Sequence, residues 1–467
     1  MSNIPLIGAI PAVPGDLYGE ANEVQTLSTQ SQAVFRGSPK KTKARRPPVQ
    51  VSTNGTWTIT NTATVVTSAR SNQYPIPSQS KVTPLLLSGT SSGAGQYVRA
   101  TQTLSPGITS RKIAISVPVF IPDYTKIASI TISVSYDGFT STSWAVVYTP
   151  EFSGNHVIGL TSRIVQGLAG GLQWTTGNGA TTETPFTSVR YQVTLATSVT
   201  GSVSFGDPVI NTADQAQLMI SVDDGESLFM RQLDSALPWS PFEYMVSNGI
   251  PSTQFLIPSL LNTAGYYSTT DVQQLLAAGH CICPHGATSL ASLANDAARR
   301  ADVASNIEGL RALGVPDKML SAMYAYPNGV FEVSAGDTSI MQILRDYGFR
   351  AARTASRRAT VPNHVAPHRQ YHIPIIGHYT EVGGGGETTA ITQARLRDLV
   401  ETGGTGVILF HKFVVGAPTV NLEIQMSAFQ TIIDDVAGYR NDGVLATVTA
   451  LDLANQYYTQ APTSNTP

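Results

Sequence analysis

The chain has 467 residues, which at roughly 150 residues per domain leaves room for two to four domains. Lys and Arg number 29 against 31 Asp and Glu, and the net charge of −2 excludes a surface built throughout to neutralise nucleic-acid phosphates. Hydrophobic residues at 42% supply large cores and exclude general disorder, while charged residues at 13% fall well below the roughly 25% of ordinary soluble domains. Ser, Thr, Gly and Ala fill the difference, a bias that suits β-rich, extracellular or structural proteins. Two cysteines, Cys281 and Cys283, cannot form a disulfide framework and read as small buried hydrophobes. No window holds about 18 uninterrupted apolar residues, so no membrane insertion is expected. The start, Met1-Ser-Asn-Ile-Pro-Leu-Ile-Gly, lacks a basic run and a long apolar run, and no secretory signal is expected.

Residues 1–48 carry six prolines, no steady periodicity and a basic run from Lys40 to Arg46. They read as an extended arm or linker that orders on a partner assembly. Residues 49–212 read as strands. Ile113, Ile115, Val117, Val119 and Ile121 alternate, as do Ile130, Ile132, Val134 and Tyr136, which meet the turn pair Asp137-Gly138. Val189, Tyr191, Val193 and Leu195 repeat the pattern. Period two between turn residues indicates half-buried strands and a β-sandwich, jelly-roll-like in kind. Trp57, Trp144 and Trp174 lie in this stretch, where core positions are commoner than sugar-stacking ones.

The charge balance shifts near residue 212. Residues 1–212 hold 14 Lys and Arg against 8 Asp and Glu, and the remainder holds 15 against 23, the mark of a domain boundary. From 213 to 467 the rhythm changes. Apolar runs at Gln217–Val222, Phe255–Ile257, His280–Cys283, Ala322–Tyr326, Ile373–Ile376, Val407–Phe410 and Val444–Val448 alternate with helical patterns. Val303, Ile307, Leu310 and Leu313 share one helix face before Gly314; Ile340, Ile343, Leu344 and Tyr347 share another before Gly348; Phe429, Ile432, Ile433 and Val436 make a third. Alternating strand and helix predicts a parallel sheet, and about seven units fit a closed (β/α) barrel with its chemistry at the C-terminal strand ends.

Polar residues gather at those ends. Asp223-Asp224-Gly225 follows the first run; adjacent carboxylates there can divide labour, one binding a metal and one acting as general base. The third run ends with His280, with His285 following after Pro284, and the seventh ends with His411. Asp with His suits a borderline divalent ion such as zinc. Four of the eight histidines, His364, His368, His372 and His378, crowd into one proline-rich stretch and read as loop residues beside the cleft.

Residues 218–455 resemble the polysaccharide deacetylase family of the NodB-homology type. The resemblance rests on Ser221-Val222-Asp223-Asp224-Gly225, on Ile250–Pro258, on Gly279-His280-Cys-Ile-Cys-Pro284-His285, on Tyr324-Ala325-Tyr326-Pro327-Asn328-Gly329, on Tyr347–Thr354, on His411 and on the closing Thr447–Leu453. It implies a distorted seven-stranded barrel and metal-assisted removal of acetyl groups from a glycan. By that resemblance Asp223 is the catalytic base, His411 the general acid, and Asp224 and His285 are ligands of a divalent metal, zinc being the expected ion. Backbone N–H groups near Tyr326 and Pro327 are expected to hold the oxyanion, and a carboxylate beside His411 to keep it protonated. Two positions depart from the family pattern. Ser289 stands where the family has a second metal-binding histidine, so that Ser289 or His280 would have to substitute. Ala325 stands where the family has an arginine that orients the base.

The layout of arm, sandwich and barrel looks similar to that of bacteriophage tail spikes and fibres. That likeness implies a virion location, an esterase acting on host-surface polysaccharide, docking on other tail proteins through the arm, and a homo-oligomer, taken as a trimer, with no nucleic-acid partner. Two further readings stand beside the esterase: a glycan-binding module on a degenerate barrel, and a structural virion protein.

Overall fold

The computed structural model describes residues 49–50, 53, 56–74, 83–108, 114–140, 144–150, 153–161, 186–211, 215–235, 237–334, 337–355, 371–373, 375–378, 388–402, 405–420 and 422–457. The arm at 1–48, Trp174, His364 and His368 lie outside them.

The alternating stretches form strands as their period requires. One antiparallel sheet runs Val49–Gln50, Val209–Asn211, Ala114–Ile121, Thr200–Phe205, Leu85–Thr90 and Thr64–Arg70, with Gly154–Thr161 also paired to Ala114–Ile121. A second runs Thr58–Asn61, Tyr97–Ile108, Phe186–Leu195, Ile127–Ser135 and Trp144–Tyr148. Ile115, Val117, Val119 and Ile121 of the first sheet share one buried cluster with Ile130, Ile132, Val134, Val189, Tyr191 and Val193 of the second. The two sheets therefore make a sandwich, each strand turning its apolar half inward. Trp57 is partly buried against Tyr191, with ring centroids 5.2 Å apart, and packs on this core.

Among the described residues, the alternating strand and helix region forms a six-stranded parallel sheet and, apart from it, two-stranded parallel pairs. The region's strands include β1 (Ala216–Asp224), β2 (Thr253–Leu256), β3 (Cys281–Pro284), β4 (Tyr324–Ala325), β5 (Ala352–Arg353), β6 (Gly377–His378) and β7 (Thr405–Phe410). β1 lies between β2 and β7, β3 pairs with β2, and β6 pairs with β7. β4 pairs with β5. Single parallel bridges continue the series, His285 to Ala325 after β3 and Arg353 to Ile373 ahead of β6. Leu445–Val448 pairs with the first half of β1. Such strands are covered on both faces, and β1, β2, β3 and β7 are accordingly almost wholly buried.

The helices end where their glycines stand. Asp296–Ala312 stops ahead of Gly314 at φ +81°, and Ser339–Asp346 ahead of Gly348 at φ +79°, left-handed positions that a side chain would strain. Phe429, Ile432, Ile433 and Val436 of Met426–Asn441 are all buried. Cys281 and Cys283 are buried thiols with sulfurs 3.7 Å apart, packed among Phe255, Met323 and Leu409. They fill the core as expected.

Candidate functional site

β1 delivers both carboxylates. Asp223 is buried and its Oδ1 accepts from Ser221 Oγ at 3.0 Å. Its Oδ2 accepts from Arg353 Nη2 and stands 3.8 Å from His411 Nε2. Asp224 then turns into the left-handed region at φ +69°, followed by Gly225 at φ +78°. Asp tolerates that conformation better than most residues. The turn sends the second carboxylate to a different partner: its Oδ1 is 3.4 Å from His285 Nε2.

His285 leaves β3 directly after Pro284 and is buried. Its Nδ1–H donates to the Ala325 carbonyl at 2.9 Å, because a carbonyl can only accept. That bond fixes the ring and aims Nε2 at Asp224, the arrangement by which an outer carbonyl orients a ligating imidazole. Burial lowers the pKa of His285, but the Asp224 bond, the charges of Asp223 and Asp224 and the Ala325 carbonyl outweigh it, and the net shift is upward. For Asp224, burial raises the pKa; the His285 bond and the charges of His285, His411 and Arg353 prevail and hold it below the ordinary carboxylate value.

His411 follows β7 and completes the group. Its expected protonation is not what the balance favours. Burial lowers its pKa, Asp223 and Asp224 pull it up, and the net shift is downward. The resting ring is neutral near pH 7.

Asp224 and His285 suit two ligands of one ion. Donors each about 2.1 Å from zinc and separated by a tetrahedral angle stand about 3.4 Å apart, the spacing seen here. Among the described residues, however, no group of three or more His, Cys, Asp and Glu gathers where it could hold a metal. Among the described residues, Ser289 Oγ is buried without a hydrogen-bond partner. It does not replace a third ligand in any contact found here.

Three expectations need correction or completion. His280 stands ahead of β3, not at its C-terminal end, and is wholly buried beside Phe229 and Phe242. Its Nδ1 accepts from the Ser252 N–H at 3.0 Å, and burial lowers its pKa to about 3. It is a neutral core histidine and no substitute ligand. Tyr326 N–H donates to the Arg353 carbonyl at 3.0 Å within the β4–β5 ladder, and Pro327 has no N–H, so neither supplies the expected oxyanion donor. The arginine missing at Ala325 has a counterpart that the sequence reading did not assign a role. Arg353, at the end of β5, is buried, pairs with Asp223, bonds the Thr354 carbonyl at 3.2 Å and lies over Phe255 at 5.0 Å. An arginine closing a short apolar strand was the available signal. Of the histidine-rich stretch, His372 packs edge-on to Phe331 at 4.7 Å, and His378 is described only as backbone of β6.

The role of His280 is open to a pH test. A folded-state pKa below 6.5 means that the unfolded chain takes up the proton first. Stability is therefore unaffected above pH 6.5 and falls between pH 6.5 and about 3, by up to about 1.4 kcal/mol per unit. In His280→Asn the urea midpoint of this unit should depend less steeply on pH over that range. An equal slope would mean that His280 is not a buried neutral group.

No family model matches the chain. No curated protein matches it either. Among solved structures, it is similar to the catalytic domain of a peptidoglycan N-acetylglucosamine deacetylase from Eubacterium rectale at 13% identity, over 50% of this chain and 88% of that one, with a TM-score of 0.32. It is similar to a family 11 carbohydrate-binding module from Clostridium thermocellum, solved with a mixed-linked tetrasaccharide, at 14% identity over 36% and 96%, with a TM-score of 0.25. A third likeness is to the enzymatically active domain of tailspike protein 4 of bacteriophage CBA120, at 13% identity over 33% of this chain and 19% of that one, with a TM-score of 0.22.

Proposed function

We propose that residues 213–467 form a carbohydrate esterase of the polysaccharide-deacetylase kind, a barrel that removes acetyl groups from glycans with the help of a divalent metal. The observation that carries this is the convergence of Asp223, Asp224, His285 and His411 from the ends of β1, β3 and β7, with Arg353 clamped on Asp223. Asp224 and His285 would hold the ion, which when bound would polarise the acetyl carbonyl and acidify a water. Arg353 and Ser221 fix the Asp223 carboxylate so that it can take the proton from the attacking water. His411 Nε2, 3.8 Å from that carboxylate, is placed to receive the proton and deliver it to the departing sugar nitrogen or oxygen. Acetate and a free amine or hydroxyl result. Virion attachment through residues 1–48 and action on host-surface polysaccharide extend this reading to the whole chain, as a tail-associated esterase.

The test is acetate release from acetylated polysaccharide by the purified chain, with and without added zinc, alongside zinc titration by calorimetry. Zinc-dependent release, with zinc binding lost in the Asp224→Ala/His285→Ala pair, is expected. Absence of release with zinc from a panel of acetylated glycans would overturn it. Ser289, at the place of the family's second histidine, favours a second reading, a glycan-binding module that no longer turns over. That reading expects glycan binding without acetate release.

A further inference from the structure

The five-stranded sheet of the sandwich has an outer face opposite the shared core. Its strands, Thr58–Asn61, Tyr97–Ile108, Ile127–Ser135, Trp144–Tyr148 and Phe186–Leu195, contain no Asp, Glu or Lys and two charged residues, Arg99 and Arg190. Val98 and Ala100 flank Arg99, and Val189 and Tyr191 flank Arg190, all four in the core. Alternation therefore turns both guanidiniums outward.

The two arginines sit on adjacent strands. Arg99 lies opposite Gln192, and Arg190 opposite Thr101, which makes them diagonal neighbours. Like charges so placed repel and cost stability. Burial, then the charge of Arg99, pushes the pKa of Arg190 down. Among the described residues neither has a carboxylate partner. Each is instead held flat by neutral groups. Arg99 Nε and Nη2 donate to Gln192 Oε1 at 2.8 and 2.6 Å, and its guanidinium lies over Tyr97 at 4.4 Å. Arg190 Nε donates to Thr101 Oγ1 at 3.1 Å, and its guanidinium lies over Phe139 at 3.8 Å. A guanidinium has five donors. These bonds use two of them on Arg99 and one on Arg190. Two fixed, mutually repelling cations with donors to spare, set in a row of hydroxyls such as Thr58, Thr60, Thr101 and Thr131, form a surface complementary to carboxylates carried on a polyhydroxylated chain.

We propose that this face binds an acidic polysaccharide, with Arg99 and Arg190 as the carboxylate-reading residues. A nucleic acid fits less well, because sequence-independent binding of a phosphate backbone draws on roughly 6–10 cationic contacts and this face offers two. The proposal rests on the carbohydrate reading of the chain for its ligand class. It does not need the Asp223 site to turn over.

The experiment is affinity electrophoresis of the full chain through gels containing polygalacturonate, fully methyl-esterified polygalacturonate or single-stranded DNA. Retardation by polygalacturonate alone is expected. It should weaken at least tenfold in Arg99→Gln/Arg190→Gln and fall as NaCl rises. Acetate release from a small acetylated sugar is measured in parallel and should be equal in the two proteins, so failure of the esterase reading leaves the binding result legible. Should the glutamine pair fail to fold by circular dichroism, Arg99→Thr/Arg190→Thr replaces it, Thr being the residue that already populates this face. The proposal is overturned by absence of retardation, by equal retardation of the variant, by equal retardation in the esterified polymer, or by DNA retarding the chain as strongly.

Discussion

On the esterase reading proposed above, Asp223→Asn should lower acetate release by at least about 10²-fold in the presence of zinc, within the 10²–10⁴ expected for loss of a general base. The amide keeps the shape of the carboxylate and can still accept from Ser221 Oγ, which now bonds Oδ1 at 3.0 Å. It cannot take a proton from water, and it cannot neutralise the guanidinium of Arg353, whose side chain is 1% exposed. Folding is therefore monitored beside the rate. Because Asp224 and His285 are untouched, zinc titration should be nearly unchanged. A folded variant with wild-type turnover would remove Asp223 from the reaction and require another base.

Arg353→Met should destabilise the parallel-sheet unit by about 3–5 kcal/mol, the usual cost of stripping one partner from a buried ion pair. The loss arises from Asp223, 3% exposed and left with a carboxylate that has lost its main counter-charge. Methionine keeps the apolar stem against Phe255. If that origin is right, adding Asp223→Asn to Arg353→Met recovers part of the loss, a coupling of at least about 1 kcal/mol in a double-mutant cycle. Urea unfolding of the four proteins measures it. A cost of Arg353→Met below about 1 kcal/mol, with no coupling, would mean that water reaches Asp223 and that the clamp is not what holds the base.

Much of this site was legible because it is written locally. Gln217–Val222 is too continuous an apolar run for a half-exposed strand, and Asp223-Asp224-Gly225 follows it with turn chemistry that only a strand end needs. His411 could be placed for the same reason, directly after Val407–Phe410. What depended on distance along a strand was harder. His280 and His285 are close in sequence, but a strand rises about 3.3 Å per residue, so five residues separate them by roughly 16 Å and put them at opposite ends of β3. What depended on pairing was not legible at all. Arg353 reaches Asp223 across 130 residues of chain. The Tyr326 N–H is spent on a backbone ladder that no side-chain pattern announces. The pKa of His411 is set by a contest between burial and two carboxylates, and its sign follows only from their geometry.

The pairing of Leu445–Val448 with Ala216–Met219 has a consequence for how the chain is made. The first strand of this unit is flanked on that side, over its first four residues, by the last. More than 200 residues emerge from the ribosome between the two, which at about 5–20 residues per second is a wait of roughly 10–45 s. Throughout it the edge at Ala216–Met219 stays open, apolar and able to pair with a strand of another nascent chain. The β7 side waits almost as long, since Thr405–Phe410 is also late. Closure by such distant contacts is slow relative to local folding. Yield in the cell should then be limited by the time this one strand spends uncovered.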